Sequence, residues 1–217
     1  MNPFHTSPSA PLRLYRHAVS GHCHRVQLLL SLLDLPFECV DVDVLAGEHK
    51  APAFLALNPF GQVPVLQDGE HTLADSNAIL VYLAGRYGGG RWLPADPLGA
   101  AAVQRWLSVA AGPLAFGAAE ARLIQLFKKP DDPQHAIARG HTLLALMEQQ
   151  LAKTDFLAGM QPTLADIANY AYVAHAPEGH VSLEPYPAVQ AWLARIEAMP
   201  RFVPMAKSAI GLCAVAA

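Results

Sequence analysis

Asn58-Pro59-Phe60-Gly61-Gln62-Val63-Pro64-Val65-Leu66 decides how the first half of this chain folds. The ring of Pro59 pushes residue 58 out of the helical region, so a helix before it must stop. Gly61 turns the chain into a strand-like run over residues 63–67. Pro64 is out of place there, because it has no amide hydrogen for a central strand. Two readings are open. One is an edge strand or bulge. The other is a cis Val63-Pro64 bond that turns the Val63 backbone outward, where its N–H and C=O can pair with an extended peptide ligand.

Downstream, Asp68-Gly69 signals a hairpin turn into a short partner strand over residues 71–73. Asp75 or Ser76 caps a helix through Ile79, Leu80, Tyr82 and Leu83, which Gly88-Gly89-Gly90 ends. Upstream, residues 12–16 read as a strand broken by Gly21. Residues 26–33 extend a helical pattern begun at Cys23, and Asp34-Leu35-Pro36 ends it. Residues 37–44 alternate apolar and acidic, with Phe37, Cys39 or Val40, Val42 and Val44 as inward candidates. The crossover is long enough for a βαβ unit, so these two strands are expected to be parallel with a right-handed connection. Residues 46–48 read as a loop and residues 52–57 as a short helix.

The second half carries helical spacing over residues 98–127, 135–151, 164–173 and 188–199, with no convincing strand. The expected organisation is a leader at residues 1–11, an α/β domain at 12–87, a Gly- and Pro-rich linker at 88–97 and an all-helical domain at 98–217.

With 217 residues and 53% hydrophobic content, the chain can bury a substantial core. Fifteen basic residues are spread thinly over a net charge of -3, which argues against nucleic-acid binding. No apolar run reaches membrane-spanning length, and the first residues do not resemble a secretory signal, so a cytoplasmic protein is expected. Cys23, Cys39 and Cys213 form an odd set without a CxxC pair, and the ten histidines lack metal-site spacing. No metal is expected.

This order of segments resembles the cytosolic glutathione transferases, closest to bacterial theta-like members that present a serine. The resemblance covers residues 12–204. It rests on residues 58–66, on Asp75-Ser76-Asn77-Ala78-Ile79-Leu80-Val81-Tyr82-Leu83, and on Pro162-Thr163-Leu164-Ala165-Asp166-Ile167-Ala168. It implies a thioredoxin-like N-terminal domain, an all-helical C-terminal domain and glutathione as co-substrate. It also implies a homodimer, in which the first domain of one subunit meets the early helices of the other, with Asn77 and Arg86 at the rim.

Each candidate residue has a plain reading beside the functional one. Ser20 is a turn or N-cap residue; in the family pattern it donates a hydrogen bond to the glutathione sulfur and favours thiolate over thiol. Val63 and Pro64 are strand residues; the resemblance makes them the backbone contact for the cysteinyl part of glutathione. Asp75 and Ser76 cap a helix; the resemblance assigns them to the γ-glutamyl end, Asp75 facing the ammonium and Ser76 the carboxylate, with Gln62 adding a contact. His49 and Lys50 are a solvated pair; they match positions that hold the glycyl carboxylate. The second substrate, a small hydrophobic electrophile, is expected between the domains, with His22, Pro113 and Phe116 as candidate wall residues.

Other residues bear on the choice of chemistry. Cys23 is either a buried structural cysteine or the centre of a rival thiol–disulfide chemistry. Arg25 reads as a solvated helix residue, and Arg122 as a cleft or intersubunit charge. Thr163 and Asp166 read as a capping box with a folding role. The expected activity is transfer of glutathione to an electrophile. The alternatives are a glutathione-dependent peroxidase or disulfide reductase, and a non-catalytic glutathione-binding or protein-interaction module.

Overall fold

The computed structural model describes residues 8 and 10–208. Cys213 and eight of the eleven residues of the expected leader lie outside them. The described residues divide into two compact units, one running to Ala95 and taking in Pro200–Met205, the other built from Asp96–Met199 and residues 206–208.

The first unit is built on a four-stranded sheet ordered β2-β1-β3-β4. β1 (Leu12–Arg16) runs parallel to β2 (Phe37–Asp41), from Leu12 opposite Phe37 to Arg16 opposite Asp41. β3 (Val65–Asp68) is antiparallel to β1, and β4 (His71–Ala74) is antiparallel to β3. The parallel pair is the expected one, joined by α1 (Gly21–Leu32). Gly21 is the first helical residue rather than a break. α1 is buried along most of its length and packs against α3 (Ser76–Tyr87). α2 (Pro52–Leu57) keeps its expected bounds, with Pro52 at the first turn, where its missing N–H costs nothing.

Two strands are shorter than expected. β2 ends at Asp41, because β1 offers it no partner beyond Arg16; only Val42 follows, donating its N–H to the Arg16 carbonyl at 2.7 Å. β2 is an edge strand, so Cys39 is exposed while Val42 is buried with Phe54 and Val65 in a small core cluster. β3 begins at Val65, two residues later than expected, after a cis Val63-Pro64 bond.

The second unit is helical among its described residues. α4 (Pro97–Ala111) and α5 (Glu120–Leu126) are joined by a π-helical turn at Ala115–Ala119 rather than forming one helix. Gly112 leaves helical geometry at φ -114°, ψ -96°, and Pro113 can donate no N–H to the ladder, so the expected kink is present. Gly117 breaks it again where the turn crosses α6 (Gln134–Leu151): a Cβ there would lie 3.0 Å from the Gly140 nitrogen. By length and composition the stretch Pro97–Leu126 could cross a membrane, but half of its most apolar 18-residue window is buried within the protein and the stretch is twice broken.

α7 (Leu164–Ala174) runs through the middle of this unit, and α8 (Pro187–Glu197) packs on α6 and α7. The capping box at Thr163 and Asp166 is present, and Asp166 is fully buried. Arg122 is neither a cleft nor an intersubunit residue. It is fully buried, and its Nε donates to Glu178 at 2.7 Å. Burial obliges the guanidinium to be paired.

Candidate functional site

The strand register collects the candidate residues at one end of the sheet. Arg16, at the C-terminus of β1, lies beside Asp41 at the C-terminus of β2. Tyr15 faces Val65 at the N-terminus of β3, and Val65 faces Ala74 at the C-terminus of β4. The segments after β1, after β2, before β3 and after β4 therefore leave from the same end. They carry, in that order, Ser20; His49 and Lys50; Gln62, Val63 and Pro64; and Asp75 and Ser76. His22, Pro113 and Phe116 do not share one unit: His22 is in α1, and the other two are in the helical unit.

Ser20 is the N-cap of α1, with extended geometry at φ -86°, ψ 118°, and its oxygen accepts from the Cys23 N–H at 3.3 Å. A capping serine spends an acceptor site and keeps its own hydrogen to donate. Cys23 is 1% exposed, and burial pushes its thiol up to about 11, against the pull of Ser20, His17 and two arginines. Reactive thiols are accessible and easily ionised. Cys23 is neither.

The turn before β3 is braced from both sides. Asn58 is buried; its Nδ2 donates to the Gln62 carbonyl at 2.8 Å, and its Oδ1 accepts from the Phe60 N–H at 3.1 Å. Lys50 Nζ donates to the carbonyls of Phe60 at 3.1 Å and Gly61 at 2.8 Å. Gly61 has φ +56°, and a Cβ there would meet the His49 carbonyl at 2.8 Å, so only glycine fits. The Val63 side chain packs on the Val42–Phe54–Val65 cluster, while its N–H and C=O join no backbone ladder among the described residues. Beside this turn, the His49 Nδ1 is shielded from water with no protein partner among the described residues.

Asp75 is the N-cap of α3 and adopts φ 68°, ψ 122°, a strained geometry for a non-glycine residue. Its carboxylate accepts from the Ala78 N–H at 2.9 Å but remains exposed. Ser76 is 5% exposed, and its oxygen lies 3.2 Å from Arg25 Nη1 and 3.4 Å from His22 Nδ1. Arg25 is therefore not a solvated helix residue: it is 1% exposed and also donates to Asn77 Oδ1 at 2.9 Å. The apolar run over residues 26–33 gives no hint that the first turn of α1 faces another helix start. Sequence reasoning misses Arg25 and Asn58 as site residues for the same reason: both act from beneath the site, through other residues.

In the helical unit, Pro113 and Phe116 line an open apolar groove of about 630 Å³ between α4 and α6, with Val109, Leu143 and Leu146. Phe116 and Leu146 are each more than half exposed. Among the described residues no group of His, Cys, Asp and Glu side chains could hold a metal ion.

Known proteins are similar to this chain in sequence and fold. Residues 10–85 match the family described as Glutathione S-transferase, N-terminal domain, and residues 113–200 match Glutathione S-transferase, C-terminal domain. Glutathione S-transferase 3 of Zea mays is 39% identical over 216 residues, covering 89% of this chain and 92% of its own. Glutathione S-transferase theta-2 of Mus musculus is 31% identical over 197 residues, covering 86% and 81%. The crystal structure of a glutathione S-transferase from Pseudomonas fluorescens superposes with a TM-score of 0.85 at 38% identity, covering 91% of this chain and all of that one. The chain belongs to the cytosolic glutathione S-transferase superfamily.

Proposed function

We propose that the loops at one end of the sheet are the glutathione site of a serine-type, theta-like transferase, and that the helical unit supplies the electrophile site. As a superfamily member the protein uses glutathione as co-substrate and activates its thiol for attack on a small hydrophobic electrophile. The observation that carries the assignment of residues is the Val63 backbone, which joins no ladder among the described residues and lies beside the start of α3. Backbone polar groups are nearly always paired, and an extended peptide ligand supplies the missing partners.

On this reading Val63 and Pro64 face the cysteinyl residue. Asp75 faces the γ-glutamyl ammonium. Ser76 and the first N–H groups of α3 face its carboxylate. Gln62 adds a contact at that end. His49 faces the glycyl carboxylate, with Lys50 beside it and bracing the turn. The sulfur then lies near Ser20. A free thiol has a pKa of about 8.5, and lowering it by two units takes about 2.7 kcal/mol, within reach of one hydroxyl donor and a helix start. Ser20 donates; the glutathione sulfur attacks.

The apolar groove at Pro113 and Phe116 suits a hydrophobic electrophile. A second reading is favoured by Phe60, which stands 79% exposed on the turn of the α/β unit. A large exposed aromatic and an open apolar groove on one molecule are complementary surfaces for two copies, so the groove instead receives the partner subunit of a homodimer. A cytoplasmic location belongs to the same proposal.

Titration of the purified protein with glutathione, followed by ultraviolet absorbance of the bound thiolate across pH, tests the site. Saturable binding with a bound-thiol pKa near or below 7 is expected. No binding, or a thiol that titrates as it does free, overturns the assignment. Phe60→Ser and Phe116→Ser separate the two groove readings. If both variants become monomeric, the groove holds a partner; if only the KM for the electrophile rises, it holds substrate.

A further inference from the structure

A serine hydroxyl has one hydrogen to donate and two sites that accept. Around the Ser76 oxygen, in a residue that is 5% exposed, stand Arg25 Nη1 at 3.2 Å and His22 Nδ1 at 3.4 Å. Arg25 has only donors to offer. His22 can do either, depending on which ring nitrogen holds the proton. Burial and the nearby Arg25 charge push the His22 ring down to about 3, so it is neutral at physiological pH and carries a single proton.

That proton has two places. On Nε2, it leaves Nδ1 as an acceptor that takes the only hydrogen of Ser76. On Nδ1, it makes His22 a second donor to Ser76, and the serine hydrogen is left for a ligand. We infer that His22 holds its proton on Nδ1, so that His22 and Arg25 together fill both acceptor sites of Ser76 and leave it a pure donor aimed at the γ-glutamyl carboxylate. This rests on the proposed function, in which Ser76 meets that carboxylate. His22 and Arg25 are positioning residues. They touch no substrate, and they make Ser76 select a group that can only accept. His22 thereby leaves the electrophile pocket and joins the glutathione site.

The test pairs a spectroscopic readout with a ligand comparison. Nitrogen NMR of the labelled protein reports the His22 tautomer directly: a protonated Nδ1 at neutral pH is expected, and a protonated Nε2 overturns the inference. In parallel, affinities are measured for glutathione and for an analogue in which hydrogen replaces the α-carboxylate. The wild type should favour glutathione by at least about tenfold, as a buried hydrogen bond to a charged group implies. His22→Leu should erase most of that preference. His22→Asn, whose Nδ2–H takes the place of the ring Nδ1–H, should restore it. Arg25→Gln should weaken it where the protein folds; the His22 variants carry the test if it does not. Ser76→Ala separates the two levels. If it keeps the full preference, the placement of the carboxylate at Ser76 is wrong. If it loses the preference while His22→Leu keeps it, that placement stands and the role of His22 is wrong.

Discussion

Two helices in this protein begin with a hydroxyl and an acid within four residues, and the two starts serve different ends. At α7, Thr163 and Asp166 close on each other. The Asp166 carboxylate accepts from the N–H groups of Leu157 and Thr163, the Thr163 hydroxyl and Trp192 Nε1, all within 3.3 Å. That carboxylate has nothing left for a ligand, and Asp166 is fully buried. At α3, Asp75 takes one N–H, adopts a strained φ of 68° and remains exposed, while the Ser76 hydroxyl is held from beneath. A start whose donors are satisfied by its own chain is a folding element. A start held open at some cost in backbone strain is available to a ligand, the role proposed for α3.

Breaking the closed start should have the largest effect. Asp166→Ala leaves four buried donors without their acceptor, and removing one side of such a network costs about 3–5 kcal/mol. Denaturant unfolding should show that loss, while turnover per folded molecule stays near the wild-type value. Unchanged stability with abolished turnover would make α7 a functional start and dissolve the contrast.

In the α/β unit, Ser20→Ala should lower turnover at pH 7 by up to about twentyfold, because a bound thiol returned from about 6.5 toward its free value of about 8.5 keeps only a few per cent of its thiolate. Its glutathione affinity should hardly change, and its stability should fall by only about 1 kcal/mol for the lost cap. A bound thiol that titrates in the variant as it does in the wild type would remove Ser20 from the chemistry. Next in size, Ser76→Ala should weaken glutathione binding by about tenfold and cost about 1–3 kcal/mol of stability, for the Arg25 and His22 groups that lose its oxygen, so that, unlike Asp166→Ala, its main effect is on binding.

How legible the site is depends on how local its causes are. The α/β-then-helical order, the parallel β1–β2 pair, α2 and the capping box each follow from signals inside a short window. Asn58-Pro59, Gly61 and Pro64 are strong enough to place a turn without help. The failures come from partners distant in sequence. β2 stops where β1 does, which the alternation over residues 37–44 does not encode. Arg25 reads as solvated because its partners Ser76 and Asn77 are some fifty residues away. Arg122 needs Glu178, on a 3-10 turn after α7. In each case a charge or a polar group is satisfied by another element that the local pattern cannot reveal.

A histidine in each unit extends the contrast to pH. His22 is held below its ordinary range by burial and then by Arg25; His175 is held below by burial, although Glu178 at 2.5 Å pulls it back up. In the unfolded chain both take a proton near pH 6.5. In the folded protein they take it at lower pH. Between those limits the unfolded state binds more protons, so stability is full above about 6.5 and declines as pH falls. The melting temperature should therefore drop from pH 7.5 to pH 5, and His22→Asn should flatten part of that slope. A slope untouched by His22→Asn would place the pH sensitivity in the closed cluster around His175.

The smallest effect should be the most discriminating. Cys23 sits three residues from Ser20, at the same helix start, and both side chains are close to where the glutathione sulfur is placed. Their environments differ. Ser20 is half-buried, with a hydrogen to donate outward; Cys23 is 1% exposed, with its thiol pushed up to about 11. At pH 7 about one molecule in ten thousand would carry a Cys23 thiolate, by the definition of a pKa. A disulfide exchange through Cys23 would need the rare form of a side chain that solvent hardly reaches. Cys23→Ala keeps the backbone N–H that Ser20 caps, so it should leave turnover with electrophiles unchanged and cost about 1 kcal/mol of packing. Alkylating reagents should modify Cys39, on the exposed edge strand, well before Cys23. If turnover instead survives in Ser20→Ala and disappears in Cys23→Ala, the open end of the sheet runs thiol–disulfide chemistry, and the catalytic role of the serine passes to its neighbour.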